Sequence, residues 1–408
     1  MQRGHRRPGS TAALRLSNER AILQDLLTHG PSTQSELARR TRLSNGSVSS
    51  IVRSLRGRGV LETSDTVSSG RRATLVTPRV ATRRVAVGID LGRSHIGLVI
   101  AKPGRELLAE RRVRIPHGTL AEEALGQVRA LLTEELRQID RGDEDIVAVV
   151  VSVPGPIDRT TGRVVDGTIL PEWVGRSAED VSEALGLDAE ICNDADAGAI
   201  AERGWGAASG VDDFLYVKIG TGIGVGVFLA GANYTGAFGI AGEIGHSTVD
   251  PGGGHCRCGN RGCLETVASV PVVLQHLSDA LGRDVTREEL NELAASEHRA
   301  TVRVIQAAGL ALGQSIAMAA NTLGPRLVVL GGPLSETGDV LLEAVRGGFS
   351  RFAIAPVVEA TRVELSTLGE GASARGAATM AFEHGDALAY MAGADEGGLL
   401  SGVDIKNR

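Results

Sequence analysis

Gly242-Glu243-Ile244-Gly245-His246 and, ten positions on, Cys256-Arg257-Cys258-Gly259-Asn260-Arg261-Gly262-Cys263-Leu264-Glu265 hold three of the four cysteines of this 408-residue chain. Thiolates set two and five positions apart on a glycine-rich turn can converge on one point, and an upstream imidazole can complete a tetrahedral Zn²⁺ shell. The spacing predicts a structural zinc held by His246, Cys256, Cys258 and Cys263 in a loop over 246–263. His255 is the weaker candidate for the fourth place, because adjacent residues strain to share one metal. A disulfide would need an oxidising compartment, and Met1-Gln2-Arg3-Gly4-His5-Arg6-Arg7 leads into no apolar run of the secretory kind. A cytoplasmic location is expected.

The length allows two or three domains, and no apolar stretch reaches the roughly 18 to 20 residues of a membrane helix. Charge divides the chain. Residues 1–84 hold 16 Arg and no Lys against 5 acids, a net of +11, which leaves −17 for the remainder of a chain totalling −6. A basic module on an acidic body points to a polyanion partner for the first part only.

That module reads as a winged helix-turn-helix over 18–76, after a basic arm (1–17) carrying Arg3, Arg6, Arg7 and Arg15. Helical spacing from Asn18 through Ile22, Leu23, Leu26 and Leu27 stops at His29-Gly30-Pro31. Thr33 with Glu36 makes a capping box for a second helix, and Ser44 caps a third. In the third helix Val48, Ile51, Val52 and Leu55 form one apolar stripe, and Asn45, Ser47, Ser49, Ser50, Arg53 and Ser54 form the polar face. Short polar side chains let a helix enter a major groove and reach base edges. Two strands follow, near 60–63 and 72–76, around a loop holding Ser68-Ser69-Gly70-Arg71-Arg72, a wing whose Arg71 and Arg72 can probe a minor groove. Residues 77–84 form a linker, and 384–408 a frayed tail.

In the acidic body, 85–383, the β-run Val85–Asp90 ends in Asp90-Leu91-Gly92-Arg93-Ser94-His95, and Phe214–Ile219 leads into Gly220-Thr221-Gly222-Ile223-Gly224. Each turn allows backbone amides to approach a phosphate. A third strand end, Pro154-Gly155-Pro156, precedes Asn193-Asp194-Ala195-Asp196.

The His246–Cys263 stretch with its flanking glutamates, the two glycine turns, the Asn-Asp-Ala-Asp element and the wing together resemble the ROK family of sugar kinases and sugar-responsive repressors over about residues 18–383. The resemblance implies an α/β, two-lobed actin-like ATPase fold preceded by the winged helix-turn-helix. It implies sugar contacts from Gly155, Asn193, Asp194, Glu243, His246 and Glu265, with Asp194 as general base if the chain is a kinase. It places nucleotide phosphates at Asp90, Gly92, Gly220, Thr221, Gly222 and Gly224. The first clamp departs from the family's Asp-x-Gly-Gly-Thr-Lys: Arg93 replaces the second glycine, and Thr and Lys are lost. Asp196 stands where Asn is usual. The expectation is therefore a sugar-responsive DNA-binding regulator, a homodimer or tetramer on an inverted-repeat operator. The alternative is an active hexose or N-acetylhexosamine kinase using Mg-ATP, and a repressor switched by a protein partner forms a third class.

Overall fold

The computed structural model describes residues 11–68, 70–79, 83–165 and 169–384, with side chains from 14 to 382. Arg3, Arg6 and Arg7 and most of the expected tail lie outside these residues.

Helix α1 (Thr11–His29) starts inside the segment expected as an arm. Thr11–Leu16 contains good helix formers and no breaker, but Leu14 and Leu16 point outward, so the apolar period becomes visible only from Ile22. After strand β1 (Ser32–Thr33), helix α2 (Gln34–Thr41) opens on the capping box: Glu36 N–H donates to Thr33 Oγ1 (3.3 Å), and Thr33 N–H donates to the Glu36 carboxylate (2.8 Å). Ser44 Oγ accepts from Ser47 N–H to start α3 (Asn45–Gly57). Its stripe Val48, Ile51, Val52 and Leu55 is buried against Ile22, Leu26, Leu27 and Leu37.

The wing strands β2 (Leu61–Ser68) and β3 (Arg71–Pro78) are longer than expected. Ser68 pairs with Arg71 across a two-residue turn in which Gly70 takes φ 75°, so both residues lie at strand ends rather than in a loop. Thr63, Thr66, Val67, Thr74 and Val76 supply the β-branched content that extends them. Of the expected linker, Arg83 pairs with Asp145 (3.0 Å), and Arg84 donates to the Glu144 carbonyl (2.7 Å).

The first lobe contains β4 (Val85–Gly92), β5 (His95–Lys102), β6 (Glu106–Arg114), α4 (Ala121–Gln138), β7 (Ile146–Val153), the small hairpin β8 (Ile157–Asp158) and β9 (Arg163–Val164), α5 (Ala178–Leu185), β10 (Ala189–Asn193) and α6 (Asp194–Trp205). The second contains β11 (Phe214–Ile219), β12 (Ile223–Leu229), β13 (Ala232–Asn233), α7 (Glu265–Ala268), α8 (Val270–Leu281), α9 (Arg287–Ala295), α10 (Arg299–Leu323), β14 (Leu327–Gly331), α11 (Asp339–Phe352), α12 (Ala355–Ala360) and β15 (Arg362–Leu365). The sheets run β10-β7-β4-β5-β6 and β13-β12-β11-β14-β15. In each, the first three strands form an antiparallel meander and the last two add in parallel beside the first. One topology is thus used twice, and each copy's first hairpin presents its glycine turn to the space between the lobes.

Helix α10 corrects one expectation: it is long and apolar enough to cross a membrane by length and composition. It is a core helix. A Cβ on Gly313 would meet the Val345 carbonyl of α11 at 2.4 Å, and Ile305, Leu312 and Ile316 are buried in the second lobe's core.

The last helix, α13 (Ala372–His384), returns to the first lobe. A Cβ on Gly376 would stand 1.7 Å from the Ala197 carbonyl of α6, and one on Gly88 2.2 Å from the Ala374 carbonyl, so both glycines permit backbone-to-backbone approach. Ala377, Ala381 and Phe382 of α13 share one buried cluster with the winged domain's core, and Gly104 N–H donates to the Leu27 carbonyl (2.8 Å). Arg42 also reaches the Ala230 carbonyl of the second lobe (3.4 Å).

Candidate functional site

A cleft of about 820 Å³ lies between the lobes and is lined by Asp90, Gly92, Gly155, Asn193, Asp194, Gly220, Thr221, Gly222, Gly224, Glu243, His246 and Glu265. The structure thereby brings together every residue expected to touch sugar or phosphate.

Asn193 ends β10 and caps α6. Its Oδ1 accepts from Ala195 N–H (2.8 Å) and Asp196 N–H (3.1 Å), and its Nδ2 donates to the Gly155 carbonyl (3.0 Å). Gly155 holds φ 127°, a conformation that only glycine adopts readily, so this contact depends on residue type at both ends. Glu265 Oε1 accepts from Ile223 N–H (2.8 Å), tying the residue after the cysteine loop to the second glycine turn. Glu243 and His246 Nε2 stand 3.8 Å apart.

The end of the cleft expected to hold phosphate contains Lys218, a side chain that sequence reasoning did not single out. Lys218 Nζ donates to Asp194 Oδ2 (2.8 Å) and Ser373 Oγ (3.0 Å) and lies 3.8 Å from Asp90 Oδ1. Burial opposes its charge, but Asp194 and Asp90 outweigh that effect and raise its pKa. Burial likewise opposes ionisation of Asp90, yet Lys218, His95 and Arg112 hold it well below the usual carboxylate range. His95 Nε2 is 2.8 Å from Asp90 Oδ2, and Ser152 Oγ donates to Oδ1 (3.2 Å). A Cβ on Gly92 would come within 2.0 Å of His95 Cε1, so the ring packs against that glycine. Arg112 and Arg287 both pair with Glu370, and Arg114 pairs with Glu288. A signal for Lys218 was present: it is the single charge in the otherwise apolar strand Phe214–Ile219. Asp196, one turn into α6, has its pKa pushed up to about 7 by burial.

The four ligand atoms of His246, Cys256, Cys258 and Cys263 lie within 4.8 Å of one another. Tetrahedral Zn–S and Zn–N bonds of about 2.3 and 2.0 Å require S···S near 3.8 Å and S···N near 3.5 Å. The Cys258–Cys263 sulfurs are 3.7 Å apart, and Cys256 Sγ is 3.6 Å from His246 Nδ1. This donor set fits a metal, and His246 turns Nδ1 to it while Nε2 faces the cleft side. His255 is outside the group, paired instead with Arg261 across the loop.

On the winged domain, Asn45, Ser50, Arg53, Arg71 and Arg72 are exposed, and Ser47 and Ser49 half-buried. Among the described residues no side-chain partner engages Arg53, Arg71 or Arg72. Arg15 donates to Ser54 Oγ at 3.2 Å and stays exposed, so this arginine sits beside the polar face of α3.

The ROK family's sequence pattern matches residues 86–384, most of the chain. The chain belongs to the ROK family. A winged helix-turn-helix DNA-binding pattern matches residues 15–62. This ROK chain is 28% identical to the xylose repressor of Bacillus subtilis strain 168 over 371 residues, covering 90% of the chain and 95% of that protein. A crystal structure of a ROK family transcriptional regulator, described as a homologue of the Escherichia coli MLC protein, superposes with a TM-score of 0.73 at 23% identity, over 93% of this chain and all of that one. A ROK family glucokinase from Streptomyces griseus, in complex with glucose and AMPPNP, superposes with a TM-score of 0.67 at 25% identity, over 73% of this chain and 99% of that one. The fold is the two-lobed sugar-kinase fold of this family with a winged helix-turn-helix ahead of it.

Proposed function

We propose that this ROK protein is a sugar-responsive, DNA-binding transcription repressor of sugar uptake or catabolism genes, acting in the cytoplasm. The observation that carries the reading is the continuous core joining the winged domain to α13, whose first turn places Ser373 against the Asp194 carbonyl and Lys218 in the cleft. A sugar would be held by Glu243, Glu265, His246, Asn193, Asp194 and the Gly155 backbone, because carboxylates accept from adjacent hydroxyls. The metal is a structural Zn²⁺, and His246 links loop order to ligand binding. Two winged domains of a homodimer or tetramer would read an inverted repeat with Asn45, Ser47, Ser49, Ser50 and Arg53, while Arg71 and Arg72 follow the minor groove. Sugar binding shifts the population between lobe arrangements that differ in DNA affinity.

A thermal-shift panel of pentoses, hexoses and their phosphates, followed by DNA-binding assays with each stabilising sugar, tests the proposal. Glu265→Ala should abolish the sugar effect and leave sugar-free DNA binding intact. A stabilising sugar that changes no DNA affinity would refute it.

A further inference from the structure

The fold shared with a nucleotide-bound glucokinase implies a magnesium nucleotide at the phosphate end of the cleft, and the side chains here do not fit one. Lys218 extends from β11 of the second lobe to oxygens on β4, α6 and α13. Its ammonium stands between the cleft carboxylates Asp90 (3.8 Å) and Asp194 (2.8 Å), where a divalent ion drawn to them would have to sit. Both oxygens of Asp90 are already engaged: Oδ1 accepts from the Ser152 hydroxyl and is faced by Lys218 at 3.8 Å, and Oδ2 is 2.8 Å from His95 Nε2. His95 covers the Gly92 backbone that a phosphate would have to approach. The rim is neutralised in the same way, Glu370 by Arg112 and Arg287, Glu288 by Arg114. A doubly charged ion brought to within about 4 Å of a fixed ammonium meets repulsion that low dielectric strengthens.

We propose that Lys218 is a resident counter-ion that takes the place of the divalent cation, so that this cleft reads its sugar without metal or nucleotide. Lys218 is thus a specificity-determining residue: it admits a sugar and excludes the phosphate donor. Asp194 Oδ2 accepts from Lys218, and α13 is fastened to the ligand site by a side chain rather than by a nucleotide. The inference that a sugar is read rests on the function proposed above; the exclusion of metal does not.

Full-length, zinc-loaded protein titrated with Mn²⁺ and followed by electron paramagnetic resonance tests this. The wild type should bind no Mn²⁺ at millimolar concentration. Lys218→Met, which removes the charge and keeps the bulk, should gain one Mn²⁺ site per chain, and Lys218→Ser should do the same should the methionine variant fail to fold. Lys218→Arg should gain none, and Lys218→Met with Asp194→Asn should lose the gained site. Binding of Mn²⁺ or Mg-AMPPNP by the wild type would overturn the proposal, as would folded Lys218→Met and Lys218→Ser that both bind no Mn²⁺. A sugar panel without any hit would count against the repressor reading and leave the Mn²⁺ result standing.

Discussion

Gly376→Ala sets two opposite effects against each other. In a helix interior the change from glycine to alanine ordinarily stabilises by about 0.8–1 kcal/mol, through backbone entropy. At Gly376, however, the new Cβ would lie 1.7 Å from the Ala197 carbonyl of α6, half the ordinary 3.4 Å contact distance. The obstacle is backbone, so no side chain can swing aside, and α13 must lift from α6. Overpacking of a fitted core costs about 1–3 kcal/mol, and a backbone overlap of this depth belongs at the upper end. The clash therefore wins, leaving a net loss of roughly 1–2 kcal/mol. Gly126 in α4 is the control, being exposed with nothing within 4 Å of its built Cβ, so there the entropy gain stands alone. Urea unfolding followed by circular dichroism should move the midpoint down for Gly376→Ala and up for Gly126→Ala. A Gly376→Ala protein as stable as wild type would show that α13 is not seated on α6 as described.

Metal analysis of protein purified without added zinc should find about one Zn²⁺ per chain, with Cys258→Ser lowering both metal content and thermal stability. Arg53→Ala should cost about 1–3 kcal/mol in operator binding if it contacts a base bidentately, relaxing preference at one position per half-site, whereas Arg71→Ala with Arg72→Ala should weaken binding to all sequences and flatten its salt dependence. Asp196 has its folded pKa raised to about 7 from 3.8, so its contribution is fully favourable below 3.8 and is lost as pH rises to about 7. Asp196→Asn should therefore raise the melting temperature more at pH 8 than at pH 5, and an equal change at both would mean that the carboxyl is not desolvated.

The winged domain and the cysteine loop were legible because their signals are local. A capping box, an i, i+3, i+4, i+7 stripe and thiolates within eight residues each report on a neighbourhood the chain builds within a few turns. Asn193 was legible as part of a motif, but its work as the cap of α6 and partner of Gly155, 38 positions earlier, needed the chain between them placed. Lys218 shows the limit most clearly. Its meaning depends on Asp90, Asp194 and Ser373, which lie on three separate elements and meet only when both lobes and the last helix have packed. Helix α1 failed in the other direction: its first turns carry helix propensity without an apolar face, so periodicity could not find them.

The winged domain is seated on the body through α13, the Leu27–Gly104 hydrogen bond and the arginines that follow it, and so is not a bead on a string. A tethered reading head tolerates targets at many distances and loses orientational freedom each time it engages; a seated one has already lost that freedom on folding. In a symmetric pair of such chains the two bodies become the calipers. One inserted base pair turns a half-site by about 35° around the duplex, since about 10 pairs make a turn. In the symmetric assembly proposed above, a seated head could not follow that rotation without lifting from its seat, so the gap between half-sites would itself be part of what is recognised.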